Sequence, residues 1–203
     1  ASTGSNTDIH QTIDGAVDGL AAWYGSTGFN SGDLPGTKTI EVSSGTYNES
    51  VTLNSNLNPT ATNKLVIIPA TGASPVVNAG SQSYGFNLST VDNVELNGFT
   101  IYNATFDNIY AQGDNVTIKF NRCYGATGGS GIRDQNGTPF VITNNLCYGN
   151  YKYGIHLNNS NNVLVKNNTT DDNGGTYIPA TGVALYSYDF ESGDYTGWTT
   201  TGG

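Results

Sequence analysis

The chain has 203 residues, only 11% of them charged, and its 16 acidic against 7 basic residues leave a formal net charge of −9. So acidic a surface argues against a nucleic-acid partner, whose phosphates require a basic face, and no apolar run reaches the ~20 residues that a membrane-spanning helix needs. Methionine is absent, even at position 1, which leads us to expect a removed N-terminal segment such as a secretory signal and hence an extracellular or cell-surface location.

In chain order, Ile9, Ile13, Val17, Leu20, Ala21 and Tyr24 fall at helical spacing, with Asp8 placed as N-cap and Gly25 as stop. This predicts one amphipathic helix over residues 8–24, inside an N-terminal segment of residues 1–37.

From residue 38 the period changes. Short apolar triplets recur at Ile40-Glu41-Val42, Leu65-Val66-Ile67, Val94-Glu95-Leu96, Val116-Thr117-Ile118, Phe140-Val141-Ile142 and Val163-Leu164-Val165, their first residues 25, 29, 22, 24 and 23 apart. Repeats of this length signal a solenoid, and in each triplet the outer pair can point inward while the middle residue faces out. A second inward row contains Phe86, Ile109, Ile132, Ile155 and Val183, spaced 23, 23, 23 and 28 apart, with Leu88, Ala111, Leu157 and Leu185 two residues on. Asp134 interrupts that set. A third row contains Ile101, Cys123, Cys147 and Thr170. Three inward rows per turn describe a three-sided coil.

Asparagines mark its corners: Asn121, Asn145 and Asn168 lie between the first and third rows, while Asn93, Asn115 and Asn162 precede first-row strands. Asn tolerates turn conformations, and its amide can bond to the equivalent amide one turn away. On repeats such as Asn115-Val116-Thr117-Ile118-Lys119-Phe120-Asn121 and Asn162-Val163-Leu164-Val165-Lys166-Asn167-Asn168, the chain resembles the right-handed parallel β-helix of the pectin-lyase-like superfamily. The fold class that follows is all-β, a right-handed parallel β-helix of about six rungs over residues 38–187 with an N-terminal capping helix. The resemblance implies that this helix covers the first rung's open end, and that Ser44-Gly45-Thr46-Tyr47-Asn48-Glu49-Ser50-Val51 is the first-rung turn.

Cys123 and Cys147 occupy matching contexts, Asn121-Arg122-Cys123-Tyr124-Gly125 and Asn145-Leu146-Cys147-Tyr148-Gly149, and should stack on adjacent rungs. They read either as two buried thiols or as a rung-to-rung disulfide, which an extracellular location permits. Among eight Asn-x-Ser/Thr tripeptides, Asn48, Asn103 and Asn136 are the loop candidates for glycosylation.

The outward neighbours of the second inward row are Tyr110, Arg133, His156 and Ala184. An arginine that steadies a uronate or oxyanion beside a titratable imidazole is a plausible catalytic pair. Asp134 adds a carboxylate, and Tyr151 and Tyr153 could stack on sugar rings. Yet an Arg over a His on a solvated strand is more often plain surface. The chain also carries neither the paired aspartates of polygalacturonase-like hydrolases nor the aspartate cluster of calcium-dependent pectate lyases.

The stretch with Asp171 and Asp172 reads as an insertion in its rung. With Asp114 these carboxylates could bind calcium, although adjacent aspartates in an Asn-Gly turn also read as plain loop; no other cofactor is expected. The last segment, residues 188–203, leaves the repeat and carries Phe190, Tyr195 and Trp198, either as the start of a further domain or as an arm that contacts a neighbouring subunit.

These features lead us to expect a secreted structural component of a cell surface or extracellular matrix. It would be a homo-oligomer or polymer joined through the coil end and the C-terminal arm. A polysaccharide-active enzyme or a non-catalytic glycan-binding module is the alternative.

Overall fold

The computed structural model describes residues 10–26, 36–53, 55–57 and 59–174, together with the strand Ala184–Leu185. Alternation of apolar and polar residues turns one side of each short strand inward: in Val116–Lys119, Val116 and Ile118 are buried while Thr117 and Lys119 are half-exposed. A strand of this kind buries one face only, so a single layer cannot complete a core. The chain solves this by turning a corner after each strand.

Three parallel sheets result. Among the described residues the first runs Lys38–Val42, Leu65–Pro69, Val94–Asn97, Val116–Lys119, Phe140–Thr143, Val163–Lys166 and Ala184–Leu185. The second stacks Gly45–Tyr47, Pro75–Asn78, Thr100–Tyr102, Arg122–Tyr124, Leu146–Tyr148 and Thr169–Asp171. The third stacks Val51–Thr52, Tyr84–Leu88, Asp107–Ala111, Ile132–Gln135 and Ile155–Asn158. The path from first to second to third sheet and back makes an all-β parallel β-helix, as the ladder of triplets led us to expect.

Two registers differ from the sequence reading. Ile40 pairs with Ile67 rather than Leu65; the shift is two residues, so every side chain keeps its face. Ala184 and Leu185 pair with Leu164 and Val165 in the first sheet. They therefore do not extend the second inward row, and Ala184 does not follow His156. Spacing alone cannot say which of three sides an apolar pair joins once a rung changes length.

Inside the coil, Leu65, Ile67, Phe86, Leu96, Phe99, Ile101 and Phe140 are among the fully buried side chains, and the Phe86 and Phe99 rings meet edge-on at 5.2 Å. Each such side chain stabilises the fold by about 1.5–3 kcal/mol. Cys123 and Cys147 pair in register inside the coil and are both buried and free, so the structure has two thiols rather than a disulfide.

The corner between the first and second sheets is held by the expected asparagine ladder. Asn145 Oδ1 accepts from the Asn121 main-chain and side-chain amides, at 2.9 and 3.2 Å, and Asn168 Oδ1 does the same for Asn145, at 2.8 and 2.9 Å. Asn93, Asn115 and Asn162 all adopt left-handed backbone, φ 54 to 57, which is why Asn recurs there. A further ladder was not foreseen: Asn150 Oδ1 accepts from the Asn108 side chain and the Ala126 amide, and the Asn150 side chain donates to Asn173.

The helix spans Ile13–Ser26, beginning later than the predicted residues 8–24 and running through Gly25. Thr12 supplies the local cap, its hydroxyl accepting from Gly15 N–H at 3.0 Å; Asp8 lies outside the described residues. The Ile13 and Asp14 N–H groups donate to the Glu49 carboxylate at 2.8 and 3.1 Å. That contact ties the helix N-terminus to the first rung, and Ile13, Val17 and Ala21 join the core. No helix among the described residues is long and apolar enough to cross a membrane.

Candidate functional site

The outer face of the third sheet gathers several side chains whose titration is displaced, Tyr84, Asp107, Tyr110 and His156. Strand alternation sends Ile109, Ile132 and Ile155 inward and leaves Tyr110, Arg133 and His156 as in-register neighbours on successive rungs. Arg133 and His156 therefore stand side by side, as the repeat required. Asn87 extends the row at the Tyr110 end.

A second row runs beside it, of which the sequence reading named Tyr153 alone. Tyr84, Asp107, Ser130 and Tyr153 lie 23 residues apart and each two residues before the inward row of Phe86, Ile109, Ile132 and Ile155. The same period that found the core would have found them, but no apolar residue drew attention to the position. Tyr84 stacks on Tyr110 at 4.7 Å, nearly parallel, and Asp107 Oδ2 lies 3.9 Å from Arg133 Nη1. The Arg133 guanidinium sits 5.6 Å from the centre of the Tyr110 ring and donates to Gln135 Oε1 at 2.6 Å, so it is braced from three sides. Tyr153 packs against His156 at 4.7 Å.

Burial and mutual proximity displace the titration of these groups. Asp107 is nearly buried and its pKa is raised by loss of water, although the Ser130 N–H at 2.7 Å and the Arg133 charge pull it back. Burial also raises the Tyr84 and Tyr110 hydroxyls. Burial, then the Arg133 and Lys152 charges, lowers the pKa of His156, so its imidazole is neutral at pH 7. Displaced groups converging on one cation are the arrangement expected of a binding or catalytic site. Chemically, the strip offers a planar cation for a carboxylate, a neutral imidazole able to accept a proton, and aromatic edges.

The other predicted residues do not join this cluster. Asp134 is fully buried in the coil and pairs with Ala111 and Leu157, so its carboxyl faces away from Arg133 and His156: successive residues of a strand point to opposite sides. Tyr151 is separated from Tyr153 and lines a depression at the turn between the second and third sheets. Asp171 closes the second sheet beside Tyr148. Asp114 belongs to the turn before the first sheet, where it accepts from Thr138 N–H at 2.9 Å; the calcium set of Asp114, Asp171 and Asp172 is thus not assembled. Among the described residues no three His, Cys, Asp or Glu side chains converge on a metal position. Asn48, Asn103 and Asn136 are all exposed. Phe190, Tyr195 and Trp198 lie outside the described residues.

On the second sheet, Tyr102, Tyr124 and Tyr148 form a parallel stack with centroids 5.1 Å apart, and Arg122 donates to the Tyr148 hydroxyl. These rings cover one another's faces. They brace the coil more than they offer a platform.

A family model for the right-handed β-helix region matches residues 76–192, more than half of the chain. No curated protein sequence matches the chain at a significant level. Among solved structures, the crystal structure of pectate lyase Pel9A is similar over 74% of this chain and 47% of that one, with 16% identity and a TM-score of 0.43. The chain spans about half the length of that lyase.

Proposed function

The chain belongs to the right-handed β-helix family, and we propose that it holds an acidic polysaccharide along the outer face of its third sheet. The observation that carries this reading is the in-register strip of Tyr110, Arg133 and His156, with Asp107 and Tyr153 packed against it. Stacked rungs place equivalent side chains about 4.8 Å apart, which suits an extended ligand crossing several rungs. A guanidinium braced by Tyr110, Gln135 and Asp107 keeps its fork oriented, and that geometry matches a carboxylate. The net charge of −9 opposes an anionic ligand only at long range. Screening over about 8 Å in physiological salt leaves the local charges, Arg133 and Lys152 against Asp107, to decide.

With a uronate held by Arg133, neutral His156 would take the proton from the carbon next to the carboxylate. The C–H electron pair would form the new C=C bond as the adjacent glycosidic C–O bond breaks, the leaving oxygen keeping that bond's electron pair and taking a proton from water, which leaves an unsaturated sugar end. Calorimetric titration with polygalacturonate and alginate fragments tests binding, and ultraviolet absorbance of the unsaturated product tests cleavage. Binding that weakens with added salt and is lost in Arg133→Ala supports the reading; equal binding by Arg133→Ala sinks it. Binding without product leaves His156 as a contact residue.

A second reading, a secreted structural surface component that polymerises, rests on a different feature. Phe106 and Phe120 are more than half exposed, and Ile155–Asn158 and Thr169–Asp171 are the terminal strands of their sheets among the described residues. Terminal strands and apolar patches recruit further chains. Analytical ultracentrifugation of the chain with and without residues 188–203 tests this. A polymer that dissolves on deletion supports it; a monomer at all concentrations overturns it.

A further inference from the structure

Tyr151 is more exposed than Phe106 or Phe120. Its side chain is 65% exposed, and it has no ring neighbour among the described residues, whereas Tyr84, Tyr102, Tyr110, Tyr124 and Tyr148 are stacked and Tyr153 packs on His156. It walls an open depression of about 510 Å³ that three successive rungs line with Gly125, Ala126 and Thr127, then Gly149 and Asn150, then Asp172. The volume lies within the range of small-ligand sites.

The walls are fixed by the backbone. Tyr151 N–H donates to Ala126 O at 2.8 Å and Gly174 N–H to Asn150 O at 2.9 Å. The buried Asn150 side chain joins the ladder below, accepting from Ala126 N–H at 3.1 Å. Gly125 and Gly149 turn the chain through left-handed backbone, φ 65 and 59, and a Cβ on Gly149 would meet no atom within 4 Å. The floor is therefore open and stiff. Around it stand one free aromatic face, one carboxylate and one hydroxyl.

We propose that this depression is a binding site for a neutral sugar residue, with Tyr151 stacked on the C–H face of a pyranose ring and Asp172 and Thr127 accepting from its hydroxyls. An aromatic face that no other ring covers is the natural partner for the apolar face of a sugar. The sole carboxylate in the lining accepts from hydroxyls and repels an anionic ring, so the site selects against uronates. It is independent of the Arg133 strip, which favours them.

The test is calorimetric titration of the whole chain with neutral tetrasaccharides cut from xylan, galactan, mannan and β-glucan. Expected is binding to at least one, weakened about tenfold or more in Tyr151→Ala and retained in Tyr151→Phe, because the ring rather than the hydroxyl makes the stack. Asp172→Asn weakens it about threefold or more, while Arg133→Ala leaves it unchanged. Thermal melting confirms that each variant is folded. No binding to any of the four, or equal affinity in Tyr151→Ala, overturns the proposal. Loss of acidic-polysaccharide binding in Arg133→Ala bears only on the strip.

Discussion

Arg133 and Asp134 are consecutive in the chain and lie on opposite sides of the third sheet. The guanidinium stands on the outer face 3.9 Å from Asp107, while the Asp134 carboxyl is fully buried in the row of Ala111 and Leu157. One residue of strand separates a solvated cation from a carboxyl held in an apolar interior. The two consequences are chemically distinct: the first builds a surface strip, the second makes the coil sensitive to pH.

Burial pushes the Asp134 carboxyl from 3.8 up to about 6, against the pull of the Ser160 hydroxyl and of the Gly137 N–H, which donates to it at 3.2 Å. Because the folded value lies above the unfolded one, the stabilisation is fully present below about pH 4 and is lost as pH rises through about 6. The shift of about two units corresponds to roughly 3 kcal/mol. Wild type should therefore melt at higher temperature near pH 4.5 than expected from its other carboxylates. Asp134→Asn, neutral and of the same shape, should raise the melting temperature at pH 7.5 and flatten its dependence across this window. A variant with the same pH profile as wild type would refute the assignment.

The asparagine ladder should be a larger stabiliser than any single surface contact. Asn145 donates to Ile118 O, Thr143 O and Asn168 Oδ1, and accepts twice from Asn121. Removing it orphans buried backbone groups on neighbouring rungs. Asn145→Ala is expected to lose about 2–4 kcal/mol in denaturant unfolding. Exposed Asn161 is the control, with Asn161→Ala within about 0.5 kcal/mol of wild type.

Glu49 fastens the helix to the coil through the Ile13 and Asp14 N–H groups. Glu49→Ala should destabilise by about 1–2 kcal/mol. Hydrogen exchange is expected to accelerate across residues 13–26 and to remain slow in the strands near Ile118 and Ile142. Uniform acceleration along the chain would mean that the helix is part of the global folding unit rather than a fastened cap.

Burial, and then the neighbouring Cys147, raises the Cys123 thiol well above its ordinary range, and both sulfurs lie inside the coil. An aromatic disulfide reagent should find no reactive thiol in the native protein and two after unfolding in denaturant without reductant. Two thiols in the native state would place these positions at the surface. None in denaturant would show that they had been joined.

How far the sequence could be read follows from the period of the fold. A solenoid repeats one local solution, so the spacing of Val94, Val116, Phe140 and Val163 already contains the sheet, the face and the neighbour of each strand. The adjacency of Cys123 with Cys147, and of Arg133 with His156, follows from counting because in-register stacking leaves equivalent positions no other partner. The Asn121–Asn145–Asn168 ladder was legible for the same reason. Periodicity fails where the rung changes length: Ala184 and Leu185 joined the first sheet although their spacing from Ile155 placed them in the third. It is silent about placement as well, since Asp114 lies in a turn before the first sheet whereas Asp171 ends a strand of the second.

Only the tertiary structure could decide which polar side chains meet between neighbouring rungs or between the helix and the coil. Tyr84 and Asp107 repeat with the right period, but their value as site residues comes from reaching Tyr110 and Arg133 one rung on, a diagonal contact set by side-chain length and strand twist. Glu49 caps a helix that ends more than twenty residues before it, and nothing local in the sequence marks that bond. The physical reason is common to both cases. Backbone stacking is periodic and can be counted, whereas side-chain contacts between unlike elements depend on where the coil's surfaces come together in space.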